Sequence, residues 1–165
     1  MNKKLRTTLC LSACILIIAS YCYAVTRDNI VMKCEQAAKL IQTSGLKAAI
    51  KAIEDVDGEF VWNNKVNYVF VIDTTGRTLG HPFRPQDKEL PGDTMRKITD
   101  KNGKHFFEDF IRVANSQLGM GWVNYLWPLP GKSEPLVKST FVYRVPETNV
   151  FVASGMYVIK PGEYY

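Results

Sequence analysis

Three consecutive runs between Gly119 and Tyr157 constrain this chain most: GMGWVNYLWPLPGK, VKSTFVYRVPE and NVFVASGMYV. Each is rich in Val, Phe, Tyr and Trp and is bounded by Gly or Pro, the signature of adjacent antiparallel strands. Their aromatic load exceeds what an aliphatic core needs. Trp122, Tyr125 and Trp127 lie within six residues, and Phe141, Tyr143, Phe151 and Tyr157 follow. Indole N–H and phenol O–H groups need partners when buried. A sheet carrying so many of them suits the wall of a small-molecule pocket as well as it suits a core with edge aromatics.

Upstream, Asn67–Asp73 (NYVFVID) reads as a buried strand that turns through TTGR into a short second strand, TLGHPF. Asp73 and Gly76 are residues a tight hairpin requires. Phe106, Phe107, Phe110, Ile111 and Ala114 fall on one face of an amphipathic helix. Asp28–Thr43 is the first predicted helix, with a stripe of Ile30, Val31, Cys34, Ala38 and Ile41 that ends near Gly45. Ser44 is expected to cap a second helix, LKAAIKAIEDV, stopped by Asp57-Gly58. Pro82 to Lys101 reads as a polar, proline-rich loop, long enough to act as a lid. Helices first and a strand meander afterwards indicate an α+β layered fold, not a parallel βαβ sheet.

The first 24 residues have the form of a signal peptide. Lys3, Lys4 and Arg6 precede the apolar run Leu9–Ile18, and Cys22 and Ala24 occupy the −3 and −1 positions of a cleavage site. The apolar run is short of the ~20 residues that span a bilayer. The alternatives are an uncleaved N-terminal anchor and a lipoprotein site at Cys14, whose Leu-Ser-Ala-Cys pattern precedes most of the apolar run. Cleavage after Ala24 leaves 141 residues, a single domain, 25–165, with 18 basic and 16 acidic groups. A net charge of +2, with no basic run, does not point to nucleic acid. Cys10, Cys14 and Cys22 leave with the signal, so Cys34, on the apolar stripe of the first helix, is expected to be a buried inert thiol without a disulfide.

Catalytic signatures are missing. The chain has two histidines, His81 and His105, and contains no His-Glu-x-x-His, Cys-x-x-Cys or Gly-x-Ser-x-Gly motif. Asp73 and Asp100 have turn positions, and the pairs Glu54/Asp55 and Glu108/Asp109 belong to solvated helix faces. No enzyme activity, metal or cofactor is expected. Recognition groups are better supplied. His81, held extended by Pro82, stands at a strand end beside the long loop and can donate to a carboxylate. Lys138, at a strand start, offers a compact ammonium for a one-point salt bridge; Arg144, six residues on and on the same strand face, competes with it. Trp122 and Asn124 face one side of their strand, Tyr125 and Trp127 the other, and one side should form the pocket. Trp62, Tyr68, Trp122 and Tyr125 are the candidate walls.

The order YVFVID, TTGR, TLGHP, DKNGKHFFEDF, GWVNYLWP, Lys138-Ser139, Arg144-Val145 and VFVASGMY resembles the single Cache domain of type 2, over about residues 28 to 158. That family comprises extracytoplasmic sensor domains of bacterial chemoreceptors and histidine kinases, and some exported stand-alone proteins. The resemblance implies a PAS-like fold, a long N-terminal helix packed on a central antiparallel sheet, with a pocket on the other face for a small organic ligand, often a carboxylate. It also implies that Lys138 faces the ligand. The resulting expectation is an exported, periplasmic or secreted binding domain for an acid such as acetate, propionate, lactate or pyruvate, working through a membrane receptor, kinase or transporter. The alternative is a non-catalytic structural or protein-interaction domain with no small ligand.

Overall fold

The structure is a computed structural model that describes residues 25–129 and 132–158. The expected signal peptide, residues 1–24 with Cys10, Cys14 and Cys22, lies outside the described residues.

The chain opens with helix α1, Arg27–Ser44. Its start is a capping box: the Asn29 N–H donates to Thr26 Oγ1 (3.3 Å), and the Thr26 N–H donates to Asn29 Oδ1 (3.0 Å). The buried residues Ile30, Cys34, Ala37, Ala38 and Ile41 form the expected stripe, while Val31 is only half-buried. Helix α2, Leu46–Ile53, follows after one residue. Ser44 does not cap it. The α1 backbone runs through Ser44, and Gly45, at φ 82°, ends one helix and begins the other. A left-handed backbone reverses direction in one step, and glycine adopts it without a Cβ penalty. Helix α2 stops at Glu54, before the expected Asp57-Gly58.

The strands are β1 (Val61–Trp62), β2 (Asn67–Asp73), β3 (Thr78–Gly80), β4 (Met120–Pro128), β5 (Pro135–Arg144) and β6 (Val150–Tyr157). All pairings are antiparallel, in the order β1-β2-β6-β5-β4, and β3 shares the β1 edge of β2 further along. The expected meander of the last three strands is present. The added feature is that β2 pairs with β6, so the sheet closes its middle with residues some 80 apart in sequence: Val69 opposes Ser154 and Asp73 opposes Val150. At the β2–β3 turn, Asp73 Oδ1 accepts from the Thr75 and Arg77 N–H groups (both 2.9 Å), and Gly76 has φ 100°.

Alternation along β2 divides two cores. Val69 and Val71 face α1 and α2, together with Phe141 and Val152. Tyr68, Phe70 and Ile72 face α4 (Phe106–Ala114), together with Val123, Tyr125, Val142 and Phe151. Burial on both faces explains why β2 runs apolar from Tyr68 to Ile72 rather than alternating. The segment expected as a long loop has structure of its own: a 3-10 turn, Pro85–Glu89, and helix α3, Gly92–Arg96. Both pack along the α4 side, with Met95 fully buried in the core there.

Candidate functional site

A cavity of ≈ 30 Å³ opens on the α4 face of the sheet. The sheet supplies its floor through Tyr68, Phe70, Tyr125, Trp127 and Lys138; α4 supplies Phe106, Phe107 and Phe110; the β3–α3 connection supplies His81, Arg84 and Asp87. Side-chain period 2 puts the floor together. Tyr125 stands opposite Lys138, and Lys138 opposite Tyr157, so three successive strands aim one residue each at the same side.

Lys138 is 2% exposed, although a lysine near a strand start is ordinarily solvated. Its Nζ donates to Tyr68 Oη (3.1 Å) and lies 4.4 Å and 5.2 Å from the ring centroids of Tyr68 and Tyr157. Among the described residues no carboxylate comes within ion-pair distance of it. The stem fits because residue 155 is glycine: a Cβ there would stand 2.7 Å from Lys138 Cε and 2.4 Å from Thr140 Oγ1.

His81 follows directly on β3 and is 8% exposed. Its Nδ1 accepts from the Phe83 N–H (3.1 Å), which leaves the proton of the neutral ring on Nε2. Burial, then the charges of Lys138 and Arg84, lower its pKa to about 3. His81 is therefore a neutral donor at physiological pH. Its ring sits against Tyr68 and Phe70, with centroids 4.9 Å and 5.5 Å away. Tyr125 stacks on Phe106 (4.2 Å, 7°), and its hydroxyl shares a hydrogen bond with Thr140 Oγ1 (3.1 Å). Burial holds its pKa well above the phenol range.

Tyr68, His81, Tyr125 and Lys138 thus line one cavity. Trp62 and Trp122 do not line it. Trp122 lies on the opposite face, against Phe141 and under the Arg27 guanidinium (4.7 Å), because it is out of phase with Tyr125 on β4. Trp62 borders an open groove at the start of α1 with Val25, Met32 and Lys33. Arg144 shares the strand face of Lys138 but lies about 20 Å along the strand, where its side chain packs on Gly119. Two charged wall residues escaped the sequence reading. Arg84 donates to Asp87 twice, Nε to Oδ2 (2.6 Å) and Nη2 to Oδ1 (3.1 Å), and Asp87 is 3% exposed. The signal available was an Arg and an Asp three residues apart inside the segment expected to be a lid.

Outside the cavity, Cys34 is fully buried and its thiol points to the Phe141 carbonyl (3.9 Å); burial, reinforced by Glu35, pushes its pKa far up. It is not a nucleophile in the folded protein. Among the described residues no group of three or more His, Cys, Asp or Glu side chains is placed to hold a metal, and no helix is long and apolar enough to cross a membrane.

Known proteins resemble this chain in sequence and fold. A profile of the family described as Cache domain matches residues 23–160. The methyl-accepting chemotaxis protein McpP of Pseudomonas putida is 30% identical over 92 residues, which make up 56% of this chain and 16% of that receptor. A solved Cache chemosensory domain, described for its carboxylic acid recognition, superimposes with TM-score 0.65 at 23% identity, over 80% of this chain and 92% of the other. A solved periplasmic sensor domain of a chemotaxis protein gives TM-score 0.60 at 28% identity, over 78% and 88%.

Proposed function

The chain belongs to the Cache domain family, and on that premise we propose that it is an extracytoplasmic sensory domain that binds a small organic acid of the size of acetate, propionate, lactate or pyruvate. The observation that carries this reading is the Lys138 ammonium, buried in a cavity wall with no carboxylate partner among the described residues. Burying an ammonium costs several kcal/mol unless an anion compensates it. A ligand carboxylate is that anion. Tyr68 Oη, Lys138 Nζ and His81 Nε2 then form the polar end of the site, and Phe106, Phe110 and Tyr125 enclose the carbon chain. The small volume favours short acids over longer ones.

The work of such a domain is binding, not catalysis, and it requires no cofactor. Residues 1–24 serve as a cleaved export signal in this reading, placing residues 25–165 in the periplasm or outside the cell. Occupancy is passed on through a membrane receptor, kinase or transporter, as befits a chain whose relatives include a chemotaxis receptor. A thermal-shift screen of the exported protein against two- to four-carbon acids tests the core of this. An acid present at 100 times its dissociation constant stabilises the fold by about 2.7 kcal/mol, on the order of 10 °C in Tm. No movement with any acid of the panel overturns the proposal.

A further inference from the structure

Resting on the reading of the cavity as a carboxylate site, we propose that the Arg84–Asp87 pair is a charge filter: it limits the cavity to ligands with a single negative charge. Among the described residues two cations, Lys138 and Arg84, and one anion, Asp87, line the cavity. His81 and Tyr125, also in the wall, are uncharged. His81 stays neutral down to about pH 3, and burial keeps the Tyr125 phenol protonated. Behind the wall, Glu54 accepts from the His81 backbone N–H (3.2 Å), and its charge is met by Lys88 (2.8 Å). The lining therefore carries one net positive charge.

Geometry assigns that charge to Lys138. Both carboxylate oxygens of Asp87 are engaged by Arg84 in a two-pronged contact, which holds the guanidinium in a fixed orientation. Arg84 also lies 5.7 Å from the Trp127 ring, a second restraint on its position. Arg84 is consequently committed to Asp87, and Lys138 is free to meet an anion. A first ligand carboxylate neutralises the wall. A second would lie in the same small cavity as Asp87, with no uncommitted cation among the described residues to receive it, and like charges at short range in a poorly solvated site oppose binding. Asp87 thus acts as a specificity-determining residue by repulsion, and Arg84 holds it in place and balances it.

Two substitutions of this one pair separate the filter from a merely structural contact, because both break the ion pair while changing the wall charge in opposite senses. Calorimetric titration of the full chain, its Asp87→Asn, Arg84→Gln and Arg84→Lys variants is made with propionate, and with malonate and acetoacetate, which have equal numbers of heavy atoms but carry two charges and one. The unsubstituted protein should bind propionate and favour acetoacetate over malonate. Asp87→Asn should strengthen malonate at least tenfold relative to acetoacetate. Arg84→Gln should weaken propionate at least tenfold, and Arg84→Lys should restore most of that loss. If Asp87→Asn does not fold by thermal unfolding, the Arg84→Gln and Arg84→Lys comparison decides. Malonate preferred by the unsubstituted protein, equal loss of propionate in Asp87→Asn and Arg84→Gln, or no rescue by Arg84→Lys overturns the filter while leaving the carboxylate site intact. Failure of every acid to bind the unsubstituted protein overturns both.

Discussion

Replacing Lys138 by Met should make the ligand-free protein more stable and the ligand-binding protein useless. Lys138 has almost no exposed surface, and its Nζ has one hydrogen-bond partner among the described residues, Tyr68 Oη. Desolvating an ammonium costs several kcal/mol, only partly recovered from one neutral hydrogen bond and two ring faces. Met keeps most of the stem that packs over Gly155 and removes the charge. The loss of the Tyr68 partner costs about 1 kcal/mol. The expected balance is a gain of about 1–3 kcal/mol in unfolding free energy, the sense seen when buried charges give way to apolar groups of similar volume. Binding should move the other way. Removing one partner of a buried charged pair weakens the complex by about 2–5 kcal/mol, or roughly 30- to 4,000-fold in Kd. Urea unfolding of the free protein and calorimetric titration with the best acid of the screen read the two effects. The reasoning is refuted if Lys138→Met destabilises the free protein by more than about 1 kcal/mol, or if its Kd is unchanged. An expectation of unchanged stability on truncation, natural for an exposed lysine, does not apply to this buried one.

Three further outcomes are expected. Gly155→Ala places a methyl 2.4 Å from Thr140 Oγ1 and 2.7 Å from Lys138 Cε, so it should cost about 1–3 kcal/mol by overpacking and weaken acid binding in the same titration. His81 is neutral in the folded protein down to about pH 3, whereas in the unfolded chain it protonates near 6.5; its contribution to stability is complete above pH 6.5 and declines as the pH falls toward 3. Urea unfolding should therefore lose about 2 kcal/mol between pH 7 and pH 5, and His81→Gln should flatten that slope. Trp122→Ala, on the α1 face and half-buried, should lower stability by about 1–3 kcal/mol and leave Kd unchanged; a tenfold change in Kd would return Trp122 to the site.

The elements themselves were legible because their signals are local. The α1 stripe, the β2–β3 turn at Asp73 and Gly76, the Phe-rich face of α4 and the three terminal strands all depend on residues a few positions apart. Helix ends were less legible: Gly45 takes a left-handed turn that makes Ser44 the end of α1, because a one-residue link leaves no room for a separate cap. The lining of the cavity was partly legible. Residue type singled out Tyr68, His81 and Tyr125, the family resemblance added Lys138, and the strand alternation separated Trp122 from Tyr125. Residue type also admitted Trp62, since an aromatic beside a strand carries no label for the face it will occupy.

By itself, then, the order of apolar and polar residues determined the helices, the strands, the out-of-phase faces of β4 and the poverty of catalytic groups. Tertiary structure decided which face became the pocket, since that depends on α1 packing against one side of the sheet and α4 against the other. It also decided that Lys138 is buried, through the pairing of β5 with β6 that sets Gly155 beside the lysine stem. And it brought Arg84 and Asp87 to the wall, by folding a proline-rich segment over the sheet. These outcomes rest on contacts between residues tens of positions apart, whose free energies arise from burial and charge in an enclosed space and leave no periodic trace in the chain.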